Sequence, residues 1–313
     1  MDSSELVDRL LRGERRALAR LLTRVEDGSV ERLREVVGLL HPHTGTAMIV
    51  GLTGSPGVGK STLTSALVGQ WRQRGKSVAV LAVDPSSPFS GGALLGDRVR
   101  MQDHVLDEGV YIRSMASRGH LGGLSWATPQ ALLVLDAAGF DIVIVETVGV
   151  GQAEVEIASS ADTTVVAIAP GMGDSIQAAK AGILEIADVF VVNKADREGA
   201  GRTVSELREM QKLGHGDWLA PIVKTIASTG EGIAELADAI EGHYGWLAQD
   251  GRLDQRRLDR ARVQLREIAL GTIRRRFAEI GDGDLVDELS TAVVRLEIDP
   301  YAAADRLVAS LEV

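Results

Sequence analysis

Six short runs of apolar residues divide the middle of the chain, and stretches with helical spacing lie between them. The runs are 48–52, 78–83, 142–145, 164–169, 189–192 and 222–226. They are short and nearly continuous, which is typical of strands that are buried on both faces. Such strands between helices predict an α/β fold with a mostly parallel sheet flanked by helices. Ligands of these folds bind at the carboxyl ends of the strands.

Helical spacing also marks the two flanks of this core. Leucine and alanine recur at helical intervals over 6–22, and a second helix is predicted near 30–40. After residue 245 the chain is charged and helical, and Asp299-Pro300 opens a last helix. We therefore predict a helical N-terminal extension at 1–45, a core domain at 46–245 and a helical C-terminal arm at 246–313. The apolar stripe of the arm suits packing on the core or on a second copy, and we favour a homodimer.

Composition excludes several classes of function. The formal net charge of −10 opposes nonspecific binding to nucleic acid or to an anionic membrane surface. Cysteine is absent, which excludes disulfides and thiolate metal sites. The charged N-terminal stretch lacks the apolar core of a signal peptide, and no apolar run reaches the ~18 residues of a membrane span. We expect a cytoplasmic protein.

A glycine-rich stretch, GSPGVGKST at 54–62, connects the first predicted strand to a predicted helix. This is the context and spacing of a Walker A motif, or P-loop, in which backbone N–H groups surround phosphates. The helix N-terminus adds about half a positive charge. The lysine is expected to bridge the β- and γ-phosphates, and the serine hydroxyl to coordinate Mg²⁺. The predicted phosphate-binding residues are Gly54, Ser55, Pro56, Gly57, Val58, Gly59, Lys60, Ser61 and Thr62.

The base is indicated by Asn193-Lys194-Ala195-Asp196, which closes a predicted strand. An N-K-x-D sequence at a strand end, downstream of a P-loop, indicates guanine. The carboxylate of Asp196 would accept from guanine N1–H and from the exocyclic amine, a donor pair that adenine lacks. Asn193 would hold neighbouring loops together, and the stem of Lys194 would cover the base. Ala227 and Ser228 begin a loop whose backbone is expected to contact the base.

Acidic residues follow two further strands. Glu146 ends the strand at 142–145, and Gly149 comes three residues later, where its N–H is expected to bind the γ-phosphate. Asp84 ends the strand at 78–83, and Asp97 lies in the loop beyond it. Several carboxylates near a triphosphate suit metal binding and the positioning of water. The predicted metal site comprises Ser61, Asp84, Asp97 and Glu146, although any one of these acids could be a solvated loop charge.

Longer motifs between the P-loop and NKAD carry a family resemblance. The segments AVDPSSPFSGGALLGDRVRM, RSMASRGHLGGLSWAT and ETVGVGQAE stand in this order. In these motifs, and over nearly its whole length, the chain resembles the MeaB/ArgK/MMAA family. These proteins are GTPase chaperones of adenosylcobalamin-dependent acyl-CoA mutases such as methylmalonyl-CoA mutase. The resemblance implies a P-loop fold of the signal-recognition-particle/MinD-like class and a homodimer formed through the C-terminal arm.

The resemblance also implies roles for particular residues. Asp97 would lie beside the metal and the attacking water. Lys180 lies in the segment PGMGDSIQAAKAG, which is similar to the family's additional switch. Gln152 follows Glu146 in roughly the place where other GTPases position water. The expected reaction converts GTP to GDP and phosphate with Mg²⁺, slowly in isolation and faster with a mutase partner. The predicted catalytic residues are Lys60, Asp97, Gln152 and Lys180.

Three alternative functions remain open at this stage. A nickel-inserting accessory GTPase would share the fold, but its sites use clusters of cysteine and histidine, whereas this chain has no cysteine and six scattered histidines. A transport-system (LAO/AO-type) protein kinase or ATPase would transfer the phosphoryl group to a protein instead of to water. A structural adaptor would use nucleotide only to stabilise its fold.

Overall fold

The computed structural model describes residues 2–27, 29–84, 104, 106–116, 127–147, 157, 159–171, 185–212, 217–281 and 284–310. The strands are β1 (Met48–Thr53), β2 (Val78–Asp84), β3 (Val110–Ala116), β4 (Ile142–Thr147), β5 (Thr163–Ile168), β6 (Val189–Asn193) and β7 (Ile222–Thr225). The helices are α1 (Ser3–Leu11), α2 (Arg15–Asp27), α3 (Val30–Leu40), α4 (Lys60–Gln73), α5 (Thr128–Ala137), α6 (Ala200–Gln211), α7 (Ile233–Leu247), α8 (Arg252–Gly281), α9 (Asp284–Val294) and α10 (Pro300–Ala309).

The seven strands of the described residues lie in one sheet, in the order β3-β2-β4-β1-β5-β6-β7, and every neighbouring pair is parallel. This confirms the predicted α/β fold with a parallel sheet. The carboxyl ends of β1, β4 and β6 therefore meet at the same edge. The chain enters β1 in the middle of the sheet, continues to β2 and β3 on one side and later builds β5 to β7 on the other. In open α/β sheets, ligands bind at the carboxyl ends of the strands, at the point where the strand order reverses in this way.

Helices cover both faces of the sheet, so the strands are almost entirely apolar. One face packs on α4 and α7, around side chains such as Leu52, Leu67 and Trp71. The opposite face packs on α5 and on the N-terminal helices α1 to α3, and further along the sheet on α6. The N-terminal helices thus share a hydrophobic core with the sheet. Burial of these side chains is the dominant favourable contribution to folding.

The helix that follows the P-loop is held in place at its far end. Trp71 donates its indole N–H to Glu241 of α7 at 2.8 Å, and Arg74 forms ion pairs with Glu241 and Asp238. Arg72 donates to Asp107 at 2.8 Å, and this hydrogen bond lowers the pKa of the Asp107 carboxyl group. These contacts fix the position of α4 relative to the sheet, and with it the position of the P-loop.

Two elements differ from the sequence prediction. The helical region at 6–22 is two helices, α1 and α2, because Gly13 between them has φ of +82°, which an α-helix does not accept. Strand β3 was not predicted. It lies at the edge of the sheet and includes Arg113 and Ser114, so it lacks the continuous apolar run that identifies the central strands.

The chain divides into two compact units, Met1–Leu253 and Asp254–Val313. Several large apolar side chains on α8 are exposed, namely Leu258, Val263, Leu265, Ile268, Leu270 and Ile273. Within the described residues, none of the helices combines the length and apolarity that spanning a bilayer requires. The segment boundaries predicted from the sequence and the homodimer stay predictions.

Candidate nucleotide site

The P-loop passes close to two neighbouring strands, and two glycines make this possible. Gly54 has φ of +140°, and a Cβ atom there would lie 2.2 Å from the carbonyl oxygen of Ala167 in β5. Gly59 has φ of +96°, and a Cβ atom would lie 2.6 Å from Nδ2 of Asn193 at the end of β6. No other residue fits either position without moving the backbone or Asn193. The two glycines of the motif therefore stand where the loop comes too close to β5 and β6 for a side chain.

Lys60 begins α4, and its ammonium group turns back over the loop. Nζ donates to the carbonyl oxygens of Gly54 at 2.6 Å and Ser55 at 3.2 Å. The side chain is buried although it is charged. The N-cap is Gly59, which has no side chain to bind the N–H groups of the first helical turn. The lysine, these N–H groups and the helix dipole place positive charge at one point, which is suited to an anion.

Glu146 lies between β1 and β2 at the end of β4, where it is in register with Leu52 and Ala82. It is only 4% exposed. The hydroxyl of Ser61 donates to its Oε1 atom at 2.7 Å, and the hydroxyl of Thr64 donates to Oε2 at 2.7 Å. Carboxylate and hydroxyl oxygens are hard ligands of the kind that Mg²⁺ prefers. The residues present at this point therefore fit a magnesium ion.

Thr64 belongs to the same hydrogen-bonded cluster as Ser61 and Glu146, and the sequence analysis did not name it. It lies three positions after Ser61 on the same helix, and it is fully buried. Residues three apart on a helix share a face. That spacing was a signal, but a threonine inside a helix belongs to no phosphate-binding motif and attracts no notice on its own.

Asn193 connects the P-loop to the loops predicted to bind the base. Its Nδ2 atom donates to the carbonyl oxygen of Val58 at 2.9 Å. Its Oδ1 atom accepts from the hydroxyl of Thr225 at 3.1 Å and from the backbone N–H of Ala227 at 3.1 Å. The side chain is 2% exposed. One buried amide thus joins the P-loop, β7 and the loop at 227–230, so these three segments are held next to one another.

The remaining residues of NKAD lie beside this amide, and of these Lys194 and Ala195 are half-buried. Lys194 has a left-handed backbone with φ of +58°, and its Nζ donates to the carbonyl oxygen of Gly57 at 2.5 Å. Asp196 and Ser228 are exposed, whereas Ala227 is buried. Thr62 is also exposed, on the first turn of α4. The structure therefore brings the NKAD segment and the loop after β7 to the same edge as the P-loop.

The remaining predicted site residues lie in the P-loop, at the end of β2 and in segments outside the described residues. Within the P-loop, Pro56 and Gly57 are exposed and Val58 is buried. The backbone of Asp84 ends β2 one residue beyond the end of β4, at the same edge of the sheet, but its side chain is outside the described atoms. The predicted roles of four further residues fall outside the described residues: Asp97, Gly149, Gln152 and Lys180.

A family model decides the relationship of this chain to known proteins. Residues 18–281 match the model described as "Methylmalonyl Co-A mutase-associated GTPase MeaB". This chain belongs to the MeaB family. The predicted resemblance is confirmed, and so is the prediction of a GTPase, since the family is one of GTPases.

Individual relatives agree with the MeaB family model. A protein of Pyrococcus abyssi that is named as a GTPase is 49% identical over 97% of this chain and 95% of its own length. The mouse protein named "Methylmalonic aciduria type A homolog, mitochondrial" is 34% identical over 81% of this chain and 66% of its own length. A crystal structure of a protein named as a LAO/AO transport system kinase is 28% identical, with a TM-score of 0.71, over 99% of this chain and 98% of that one.

Proposed function

We propose that this MeaB-family protein binds GTP with Mg²⁺ at the carboxyl edge of its sheet and hydrolyses it to GDP and phosphate. We further propose that it acts as a chaperone of an adenosylcobalamin-dependent acyl-CoA mutase, gating cofactor loading and protecting or reactivating the mutase. The observation that carries the nucleotide proposal is the hydrogen bonding of Asn193. This residue holds the phosphate loop and the predicted base loops together in one arrangement.

The phosphates would lie against the P-loop and the N-terminus of α4. Lys60 already directs its ammonium group to this place, and nucleotide phosphates would replace the carbonyl oxygens that it contacts. Thr62 is exposed on the first turn of the helix, where it can contact the α-phosphate. The glycines keep side chains out of the space that the loop encloses.

The metal would be held by Ser61 and Glu146, with Asp84 and Asp97 as further candidates. The Ser61 proton is donated to Glu146, so the hydroxyl would present lone pairs, and not its proton, to a cation. When bound, Mg²⁺ supplies positive charge against the charge that develops on the phosphate oxygens during transfer. The role of the chain is to hold hard oxygen ligands beside the P-loop.

The base would lie between Lys194 and the loop that begins at Ala227. Asp196 is exposed at this surface, and its carboxylate can accept two hydrogen bonds from guanine. With adenine the carboxylate would face no such pair of donors, and a polar group left unpaired beneath a bound base costs about 1–3 kcal/mol. Backbone N–H groups at Ala227 and Ser228 would contact the base carbonyl group.

Hydrolysis would require groups that order the attacking water, for which we propose Asp97 and Gln152. The described carboxylate at the phosphate end of the site, Glu146, already accepts hydrogen bonds from two hydroxyl groups and is assigned to the metal. Intrinsic turnover is therefore expected to be slow, and a partner that orders the switch loops, including Lys180, would increase it. Groups supplied or ordered by a partner contribute about 10³–10⁵ in rate in related phosphoryl transfers.

GTP turnover with and without a mutase tests the partner proposal. The full chain is incubated with GTP and Mg²⁺, alone and with a purified adenosylcobalamin-dependent acyl-CoA mutase, and phosphate release is measured. We expect turnover to rise by at least about tenfold with the mutase, which is well below the largest effects that partners have in related phosphoryl transfers. An enzyme of unrelated fold at equal concentration is the control. Equal turnover in the two samples would contradict the mutase proposal while leaving the GTPase in place.

The kinase alternative is favoured by one observation, the similarity of this chain to a crystallised protein named as a LAO/AO transport system kinase. The same experiment decides between the two. With GTP labelled at the γ-phosphate, hydrolysis releases all of the label as inorganic phosphate, which is the result we expect. Label that remains on a partner protein after denaturation would support the kinase.

A further inference from the structure

Both oxygens of the Glu146 carboxylate are occupied by hydroxyl donors from one helix. Ser61 donates to Oε1 and Thr64 donates to Oε2, each at 2.7 Å. The two donors lie three residues apart, so α4 presents them on the same face. Both hydroxyls and the carboxylate are buried. The pair therefore holds the carboxylate from two points on one rigid element.

A glutamate with a single donor would retain rotational freedom. Its last side-chain bond joins an sp³ to an sp² carbon, and such bonds have broad rotational minima. A second donor on the other oxygen removes that freedom, because rotation would break a buried hydrogen bond. Thr64 is therefore a contact that helps to fix the direction in which the Oε1 atom of Glu146 points.

The direction of Oε1 matters for Ser61. The Ser61 hydroxyl has one proton and two acceptor lone pairs, and its proton is donated to Oε1. As long as Oε1 stays in place, Ser61 would present lone pairs to a cation. If the carboxylate rotated, the Ser61 proton would lose this acceptor and the hydroxyl would reorient.

We propose that Thr64 is a positioning residue of the magnesium site: by holding Oε2 of Glu146, it keeps Oε1 and the Ser61 hydroxyl oriented for the metal. This inference rests on the proposed function, since the metal belongs to the nucleotide site. Groups that orient metal ligands in this way typically change metal affinity by about 10–100-fold when they are removed. Thr64 is expected to act on the metal and not on the nucleotide directly.

The test is calorimetric binding of a non-hydrolysable GTP analogue to the full chain, at Mg²⁺ concentrations from zero, with chelator, up to millimolar. Thr64→Val removes the hydroxyl and keeps the shape of the side chain. Thr164→Val is the matched control. Thr164 of β5 is also fully buried, and within the described part of the chain its Oγ1 atom has no hydrogen-bond partner. Thr64→Ser restores the hydroxyl.

Mg²⁺ is expected to increase the affinity for the analogue. We expect Thr64→Val to raise by about tenfold the Mg²⁺ concentration at which half of this increase is reached. Its affinity for the analogue in chelator should remain that of the unsubstituted protein. Thr164→Val and Thr64→Ser should keep the original Mg²⁺ midpoint. If Thr64→Val does not fold, the pair Thr64→Ser and Thr64→Ala carries the same comparison, because the two differ only in the hydroxyl.

Two results would overturn the inference. One is an unshifted Mg²⁺ midpoint in Thr64→Val. The other is a loss of affinity that is the same with and without Mg²⁺, which indicates a purely structural role. Both leave the proposed function intact, because the unsubstituted protein still binds the analogue. An unsubstituted protein that binds no analogue at any Mg²⁺ concentration would overturn the proposed function and the inference together.

Discussion

Gly59 and Asn193 are far apart in sequence, yet neither position can be understood without the other. The absence of a side chain at Gly59 leaves room for the amide of Asn193, and this amide binds the P-loop carbonyl of Val58. The sequence predicted both motifs from their spacing, and it predicted that Asn193 joins loops. It did not predict which atoms are joined, because a motif records residue types and not hydrogen-bond partners.

Thr64 shows the limit of motif reasoning at the scale of single residues. Its hydroxyl binds Glu146, but a threonine in a helix also commonly binds a backbone carbonyl group of the preceding turn. Which of these acceptors is used depends on how α4 packs against β4. That packing is a property of the folded chain, so the sequence alone does not reveal it.

The first residue-scale prediction concerns base selection. Asp196→Asn replaces one acceptor oxygen by a donor, so the side chain no longer matches the two donors of guanine. We expect the ratio of GTP to ATP affinity to fall by about 10–100-fold, which corresponds to about 1–3 kcal/mol. Competition binding with a fluorescent nucleotide measures this ratio. An unchanged ratio would reject the guanine assignment of NKAD.

A second residue-scale prediction concerns the P-loop backbone. Gly54→Ala places a Cβ atom against the carbonyl oxygen of Ala167, so β1 or β5 must shift. We expect the free energy of unfolding to fall by about 3 kcal/mol, measured by urea denaturation without nucleotide. Gly57→Ala is the control, because φ is also positive there but a Cβ atom meets nothing within 4 Å. Its cost should be about 1 kcal/mol, and equal costs would argue against the close approach to β5.

At the scale of elements, the sequence predicted the five central strands and the edge strand β7, but it missed β3 at the other edge. The strands that are buried on both faces are continuous apolar runs, and their observed bounds differ from the prediction by a residue or two. Strand β3 carries Arg113, which pairs with Glu26 of α2, and this charged residue interrupts its apolar run. A strand that is half covered by polar contacts has no distinct pattern, so its identification needs the folded neighbours.

The segment at 45–47, which leads into β1, is held by hydrogen bonds to Asp136 of α5. Its buried carboxylate accepts from the backbone N–H groups of Gly45, Thr46 and Ala47. Asp136→Ala leaves these donors without the carboxylate, and we expect a loss of about 3 kcal/mol in the free energy of unfolding. Urea denaturation followed by circular dichroism measures it. Asp8→Ala, at an exposed position of α1, should change the free energy by less than about 0.5 kcal/mol. If Asp136→Ala changes the free energy of unfolding by a similarly small amount, the segment at 45–47 is held by other contacts.

At the scale of the whole molecule, the parallel sheet explains why motifs so distant in sequence form one site. The P-loop follows β1, Glu146 is the second-last residue of β4 and NKAD begins at the last residue of β6, and parallel strands end at one edge. The fold class and the edge that carries the site were therefore predictable from the sequence. What covers the exposed apolar side chains of α8 was not predictable, because such side chains fit several kinds of contact.

The most direct measurement of the proposed nucleotide site is calorimetric titration of the full chain with a non-hydrolysable GTP analogue in the presence of Mg²⁺. We predict binding at one site per chain, with an affinity at least about tenfold higher than that for the matching ATP analogue. Equal affinity for the two nucleotides, or no heat of binding with the guanine nucleotide, would contradict the account.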